Sequence, residues 1–356
     1  MNIITPINQL GYGIAGLNIV KSLSKIDKKL SLFIIGNPDL STEEDISIVQ
    51  SCINNAQTPD FDDDCLRIWH QHDMSQFVGK GKHIGFPFFE LDKFNDVEKY
   101  HLNNLDKLFV ASSWAKEIAL DNLTISSDRV HVIPLGVDSS IFKPTESQTK
   151  NNKSTIFFNC GKWEVRKGHD VLVDIFNKAF SENDNVELWM ICSNPFLSSQ
   201  ENHEWQSKYR GSKLGSKIKF IPRLKSQEQV YNIIENVDCG IFPSRAEGWN
   251  LELLEILACG KMAIASNVSA HTEFCNHEAV RLVDMPEKEL AFDGKWFFKQ
   301  GNWAKITDKI IDNFAEMMRD VYKLNQADRE YINRSGIDVA KKFSWDNTAQ
   351  RIKQYV

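Results

Sequence analysis

Along this chain of 356 residues, short β-branched or aromatic runs alternate with stretches of helical periodicity, and the pattern starts afresh near residue 154. A strand followed by an amphipathic helix returns to its sheet as a parallel neighbour, so this order predicts an α/β protein with mostly parallel sheets. In the first half the strand-forming runs are Asn2 to Thr5, Leu32 to Ile35, Leu66 to Trp69, His83 to Phe86, Leu108 to Ala111 and Val130 to Ile133. In the second they are Thr155 to Asn159, Val186 to Ile191, Ile218 to Ile221, Cys239 to Phe242 and Met262 to Ala265. From about Trp303 onward the pattern is helical, with Phe343-Ser344-Trp345-Asp346 as an aromatic stop and N-cap before a last helix.

Between the halves, Gly136 to Pro144 runs into the polar stretch Thr145 to Ser154, the composition of an exposed connection between separately cored domains. The expected division is 1–144, then 145–340, then a C-terminal helix at 341–356 that crosses back to the first domain. Two such domains facing each other would place a ligand in the crevice at the carboxyl ends of their strands.

Seven cysteines are scattered without a C-x-x-C pair, so neither a zinc site nor a dithiol redox centre is indicated, and reduced thiols fit a cytoplasmic protein. Met1 to Pro6 carries neither the basic nor the apolar region of a secretory signal. No apolar run approaches the ~18 residues of a spanning helix, so no stable transmembrane association is expected, while peripheral membrane contact stays open. The net charge of −6 sits in the first half, where residues 1–144 hold 13 Lys and Arg against 19 Asp and Glu; the remainder holds 29 of each. That half offers no bulk cationic field for nucleic acid or anionic lipid. Lys21, Lys25, Lys28 and Lys29 read as a solvated helix face, and Asp62-Asp63-Asp64 as a solvated acidic run rather than a metal site.

The first strand runs into Gly11-Tyr12-Gly13-Ile14-Ala15-Gly16 and then a helix, a G-x-G-x-x-G turn whose backbone N–H groups can cradle a phosphate. A dinucleotide site would also want an acidic residue closing the second strand, where this chain has Gly36-Asn37-Pro38. In the second half, Gly161-Lys162-Trp163-Glu164-Val165-Arg166-Lys167-Gly168 places three cations in six positions at a strand's carboxyl end. Like charges so close repel unless solvated or facing an anion, and a diphosphate is the natural anion. Further on, a helix from about Asn250 to Gly260 puts Glu255 on the apolar face with Leu251, Leu254 and Ala258. A carboxylate there requires a partner, either an internal cation or a ligand. Glu247 precedes the same helix, eight residues earlier.

These residues together resemble the retaining glycosyltransferases of family 4. Glu247 and Glu255 match that family's E-x7-E motif, Gly161-Lys162 through Lys167-Gly168 its phosphate segment, and Val132-Ile133-Pro134-Leu135-Gly136-Val137-Asp138 its interdomain signature. The resemblance implies the GT-B fold, two facing Rossmann-like domains with a cleft between them, and metal-independent transfer from a nucleoside-diphosphate-sugar to an acceptor hydroxyl with retention. It further implies that Lys162, Arg166 and Lys167 grip the diphosphate, that Glu247 binds sugar hydroxyls and Glu255 the ribose, and that Gly248, Trp249, Asn250 and Leu251 present backbone N–H groups. Gly11 and Gly13 would close over the donor. His72, in Trp69-His70-Gln71-His72-Asp73, falls where family members often carry a histidine facing the sugar, and counts with Glu247 and Lys167 as catalytic. The chain departs from the family at Asn250 and Glu252, where glycine and proline are common, and at Lys162, commonly arginine, which bears on the donor sugar more than on the reaction.

No tightly bound cofactor or metal is implied; the co-substrate is a UDP- or GDP-sugar. The acceptor stays open among glycan, lipid-linked glycan, protein, small molecule and modified DNA base. Two other readings compete, a non-catalytic nucleotide-sugar-binding protein and an NAD(P)-dependent oxidoreductase built on the Gly11 turn. Glu247→Gln or Lys167→Ala is expected to remove turnover and leave the fold intact.

Overall fold

The computed structural model describes residues 1–144 and 154–356; most of the expected linker, Thr145 to Ser154, lies outside the described residues. The chain divides into two compact units, Met1–Asp138 with Lys342–Val356, and Ser139–Lys341.

The first unit contains β1 (Asn2–Thr5), α1 (Gly11–Ile26), β2 (Ser31–Ile34), α2 (Glu43–Asn55), β3 (Cys65–Arg67) and β4 (His83–Gly85). It continues with α3 (Asp96–Asn103), β5 (Lys107–Val110), α4 (Ser113–Asn122) and β6 (Val130–Val132). Among the described residues these strands form one six-stranded sheet, order β2-β1-β3-β4-β5-β6, with every pairing parallel. The order reverses at β1, so the carboxyl ends of β1 and β3 frame the crevice where such sheets bind ligands. Helices start where short polar side chains cap them: Asn95 and Glu98 form a reciprocal capping box on α3, and Ser112 accepts from the Ala115 N–H on α4.

The second unit opens with β7 (Thr155–Gly161), α5 (His169–Ala179), β8 (Val186–Cys192), α6 (Ser199–Arg210), β9 (Ile218–Phe220), α7 (Gln227–Ile234) and β10 (Cys239–Phe242). Then come α8 (Leu251–Ala258), β11 (Met262–Asn267), α9 (His271–Phe274), β12 (Arg281–Asp284), β13 (Lys288–Phe292), β14 (Phe298–Ala304), α10 (Asp308–Ala327) and α11 (Arg334–Ala340). Its six-stranded parallel sheet among the described residues has the order β12-β11-β10-β7-β8-β9, which reverses between β7 and β10. Strands β7 and β10 are apolar and buried, as central strands covered on both faces must be. Phe157, Leu172, Phe176, Leu188, Ile241, Ile264 and Phe314 fill the core on which α5 and α10 pack.

Two features differ from the sequence expectations. Residues from Trp303 are not yet helical: Trp303 lies in β14, which pairs antiparallel with β13, and α10 starts at Asp308. β12 was likewise not anticipated. The four-residue edge strand β12 and the exposed β13–β14 hairpin offer too brief an alternation to stand out from loop composition.

The last helix, α12 (Trp345–Tyr355), starts at Ser344, whose side chain accepts from the Asn347 N–H. It packs against α1 of the first unit: the Thr348 hydroxyl donates to the Pro134 carbonyl at 2.8 Å, Lys25 and Asp346 pair at 2.9 Å, and the Tyr355 ring stacks on His131 at 4.0 Å.

Candidate functional site

The reversal point of the second sheet determines which loops meet. β7 delivers the Lys162–Gly168 loop and β10 delivers the Pro243–Asn250 loop, and parallel pairing puts both at the same end of adjacent strands. Glu247 sits where they join. One carboxylate oxygen accepts from the Lys167 ammonium at 3.0 Å and the Ser244 hydroxyl at 2.8 Å; the other accepts from Arg166 Nη1 at 2.7 Å. Three of its roughly four acceptor positions are therefore filled. All three charged groups are buried, so the pairs are unscreened. Burial opposes ionisation of Glu247, but Arg166 and Lys167 outweigh it and hold the carboxyl well below the usual range. Glu247 and Glu252 reciprocally raise Lys167 despite its burial.

Arg166 also forks onto Glu164 Oε2 at 2.8 and 3.2 Å and donates to the Ala246 carbonyl at 2.7 Å. Glu164 in turn pairs with the half-exposed Lys162 at 2.9 Å. The three cations thus carry two internal carboxylates, Glu164 and Glu247. Glu164, Ser244 and Ser269, whose hydroxyl accepts from the Glu247 N–H at 2.8 Å, were missed as site residues. A carboxylate embedded among three cations was the available signal for Glu164; the two serines carry none.

A second layer fixes the cation loop. Gly168, at φ +74° and capping α5, has no room for a side chain, since a Cβ would stand 2.1 Å from the Pro243 carbonyl oxygen. His169 accepts from the Glu164 N–H at 3.1 Å through Nδ1 and, through Nε2, contacts Asn159 Oδ1 at 2.9 Å, so its proton is on Nε2. Burial, reinforced by Lys167, pulls its pKa down to about 3 and keeps the ring neutral. The Arg245 guanidinium clamps both loops, donating to the Val165 carbonyl at 2.6 Å and forking onto Asp170 at 2.7 and 2.8 Å.

Helix α8 starts with Asn250 at φ +87°, a left-handed conformation that favours glycine. Its side chain secures that geometry: Oδ1 accepts from the Leu253 N–H at 3.1 Å and Nδ2 donates to His271 Nε2 at 2.9 Å. His271 Nδ1 in turn donates to the Ser266 carbonyl at 2.8 Å. The Asn250 departure is thus accommodated by its own cap. Gly248 is buried, Leu251 half-buried, and the Trp249 indole packs on Phe274 at 5.0 Å.

Glu255 is 7% exposed on the buried face of α8, and no protein hydrogen bond or ion pair reaches its carboxyl among the described residues. Of the two partners the sequence left open, the internal cation is absent; the internal salt bridges went to Glu247. Burial, with the Glu252 charge one turn away, pushes Glu255 up to about 8. Glu247→Gln and Lys167→Ala each remove one partner of the buried Glu247–Lys167 ion pair, which typically costs about 3–5 kcal/mol, so both variants are expected to be less stable than the parent.

In the first unit, Gly11 and Gly13 lie inside α1 rather than in a loop before it. Gly11 is exposed with open space beside it, whereas a Cβ on Gly13 would stand 2.3–2.4 Å from Asn8, so Gly13 serves close packing. Its neighbour Tyr12 reaches across the carboxyl ends of β1, β3 and β4, its hydroxyl accepting from the Phe88 N–H at 2.7 Å. His72 is exposed on the loop after β3, its ring stacked on His70 at 5.3 Å, and the His70 ring in turn lies tilted against Tyr12 at 4.7 Å. Among the described residues, no group of three or more His, Cys, Asp or Glu side chains is placed to hold a metal ion, and no helix is long and apolar enough to cross a membrane.

Residues 154–312 match the family described as Glycosyl transferases group 1. The phosphatidylinositol N-acetylglucosaminyltransferase GPI3 subunit of Saccharomyces cerevisiae is 27% identical over 193 residues, covering 52% of this chain and 40% of that protein. The match thus spans less than half of that relative. Sucrose-phosphate synthase from Thermosynechococcus elongatus superposes with a TM-score of 0.70 at 14% identity, covering 99% of this chain and 97% of the other. HepE of Anabaena, in complex with UDP and glucose, gives a TM-score of 0.63 at 12% identity over 99% of this chain and 98% of that one. The chain thus has the two parallel Rossmann-like sheets of the GT-B fold, and residues 154–312 of its second unit are similar to the group 1 glycosyl transferases.

Proposed function

We propose that the chain is a glycosyltransferase that moves a sugar from a nucleoside-diphosphate-sugar to an acceptor hydroxyl with retention of anomeric configuration. The observation that carries this reading is the pairing of Glu247, held by Arg166 and Lys167, with the buried and unpartnered Glu255 at the reversal point of the second sheet. A polyol offers hydroxyl donors to the remaining acceptor position of Glu247 and to Glu255, and its diphosphate suits Lys162, Arg166 and Lys167. In the reaction the bond from anomeric carbon to phosphate oxygen breaks, the acceptor oxygen bonds to that carbon from the same face, and the acceptor proton passes to the departing diphosphate. Charge develops on the leaving oxygens, where fixed cations stabilise it.

The second unit is the donor-binding domain and the first the acceptor-side domain, with His72 and the Gly11–Gly16 segment as its site residues. UDP- or GDP-sugars are the donors to test. A lipid-linked acceptor receives support from the yeast relative, whose name specifies phosphatidylinositol. The protein would work in the cytoplasm.

The test is a thermal-shift panel of nucleotides, nucleotide-sugars and NAD(P), since a ligand at 100 times its Kd stabilises by about 2.7 kcal/mol. Stabilisation by one nucleoside diphosphate and its sugars is expected, weakened in Lys162→Ala, which removes one partner of Glu164 but leaves its Arg166 pair, and abolished in Lys167→Ala, each shift being read against the variant's own ligand-free Tm. A response to NAD(P) alone would refute the reading. Donor binding without transfer to any acceptor would leave a non-catalytic binding protein.

A further inference from the structure

The β13–β14 hairpin is not consumed by the site, yet it is built onto it. At its base, the Ala304 N–H donates to the Arg245 carbonyl at 3.0 Å, the Arg245 guanidinium lies over the Trp303 ring, and the Trp303 N–H donates to Glu289 at 3.1 Å. Toward its turn, Trp296 meets Phe196, whose ring lies 5.5 Å from the Lys162 ammonium, and Lys295 pairs with Glu201 at 2.7 Å. The turn itself is rigid, since Asp293 Oδ1 accepts from the N–H groups of Lys295, Trp296 and Phe297 at 2.7–2.9 Å.

This braced hairpin exposes Leu290, Phe292 and Phe298, each more than half accessible, with Trp296 and Phe196 beside the turn. Phe292 and Phe298 meet edge-on across the two strands at 6.3 Å, yet each still leaves more than half of its surface in water, more than that pairing accounts for, so the face is made for contact. With each aromatic side chain worth roughly 150–250 Å² and about half accessible, the patch is on the order of 500 Å², short of the ~800 Å² per partner that a stable dimer buries. The charges favour another occupant. Each hairpin carboxylate is engaged: Glu287 by Lys305, Glu289 by Trp303 beside Arg245, and Asp293 by its three N–H groups. Lys299 has no carboxylate partner among the described residues and lies over the Phe292 ring at 5.3 Å. Aromatic and leucine side chains with an unpaired cation at their edge form the arrangement that enters the headgroup–acyl boundary of a bilayer.

We propose that the Lys288–Ala304 hairpin is a membrane-contact element that inserts Phe292, Phe298 and Leu290 into the interface of an anionic lipid surface. The proposal is independent of the transferase reading. It is tested with the full chain by co-sedimentation with phosphatidylcholine vesicles, with and without phosphatidylglycerol, for the parent, Phe292→Ser/Phe298→Ser and Lys299→Glu. All substituted positions are exposed, so far-UV circular dichroism and Tm are expected to match the parent. The parent is expected to sediment with the anionic vesicles, the double variant roughly tenfold less, and Lys299→Glu to lose the preference for phosphatidylglycerol. A parent that stays in the supernatant with both vesicle types, or a double variant that sediments equally well, overturns the proposal. So does a parent that is dimeric by sedimentation velocity and monomeric as the double variant, which would assign the face to a second copy.

Discussion

Replacing Glu255 by glutamine is expected to stabilise the protein, and more so as pH rises. The carboxyl is 7% exposed and lacks a partner, and burial with the nearby Glu252 charge raises its pKa from the ordinary 4.5 to about 8. A folded-state pKa above the unfolded value means that the native state holds the proton more tightly. Stability is therefore lost as pH climbs from 4.5 to 8 and then levels off. Integrating that linkage gives a cost of about 2 kcal/mol at pH 6 and about 4 kcal/mol at pH 8 relative to a side chain that does not titrate. Glutamine fills the same volume without the charge. For a unit the size of Ser139–Lys341, 1 kcal/mol moves Tm by about 2–4 °C, so the gap between variant and parent should widen by about 4–8 °C from pH 6 to pH 8. Differential scanning calorimetry of both proteins at the two pH values measures it. A gap that stays constant, or a variant less stable at pH 8, would refute the argument that this carboxyl is buried without a partner. In the same variant the thermal shift with nucleoside diphosphate ligands, measured at pH 8 where the Glu255 carboxyl ionises, should shrink, because the glutamine NH2 replaces an oxygen that can accept from a ligand hydroxyl.

Asn250 combines a left-handed backbone with a cap, so Asn250→Gly should cost less than Asn250→Ala, the reverse of their order in a helix interior; chemical denaturation of both variants decides it, with alanine losing the cap worth about 1 kcal/mol and adding backbone strain. His169 is neutral in the folded state down to about pH 3, below its ordinary 6.5, so the unfolded chain binds the extra proton and stability falls as pH drops from 6.5 toward 3; in His169→Gln that part of the slope should flatten in urea melts at pH 6.5 and 4.5, and an unchanged slope would show that the ring is not buried neutral.

Local patterning made much of the scaffold legible. Each of the eleven strand-forming runs overlaps a strand, α8 starts after Asn250 and ends before Gly260, and Ser344 caps the last helix. These are decided within a few residues by periodicity and capping, so the sequence alone determines them. It also determined that Glu255 faces an apolar environment, because the i, i+3, i+4 spacing of one helix is enough.

Tertiary structure decided the rest. Which glutamate receives the cations depends on strand order, which brings residues 80 and 81 positions apart into contact and pairs Glu247 with Lys167 and Arg166, leaving Glu255 alone. Gly13 is also a packing contact with Asn8, a role that the G-x-G-x-x-G spacing by itself does not disclose. Hairpin β13–β14 was hidden because its stabilising partners, Arg245 and Phe196, come from elsewhere in the chain. Propensity and periodicity act over one or two turns, whereas the site is an electrostatic arrangement among loops, and only the order of the strands that carry them sets which charges meet.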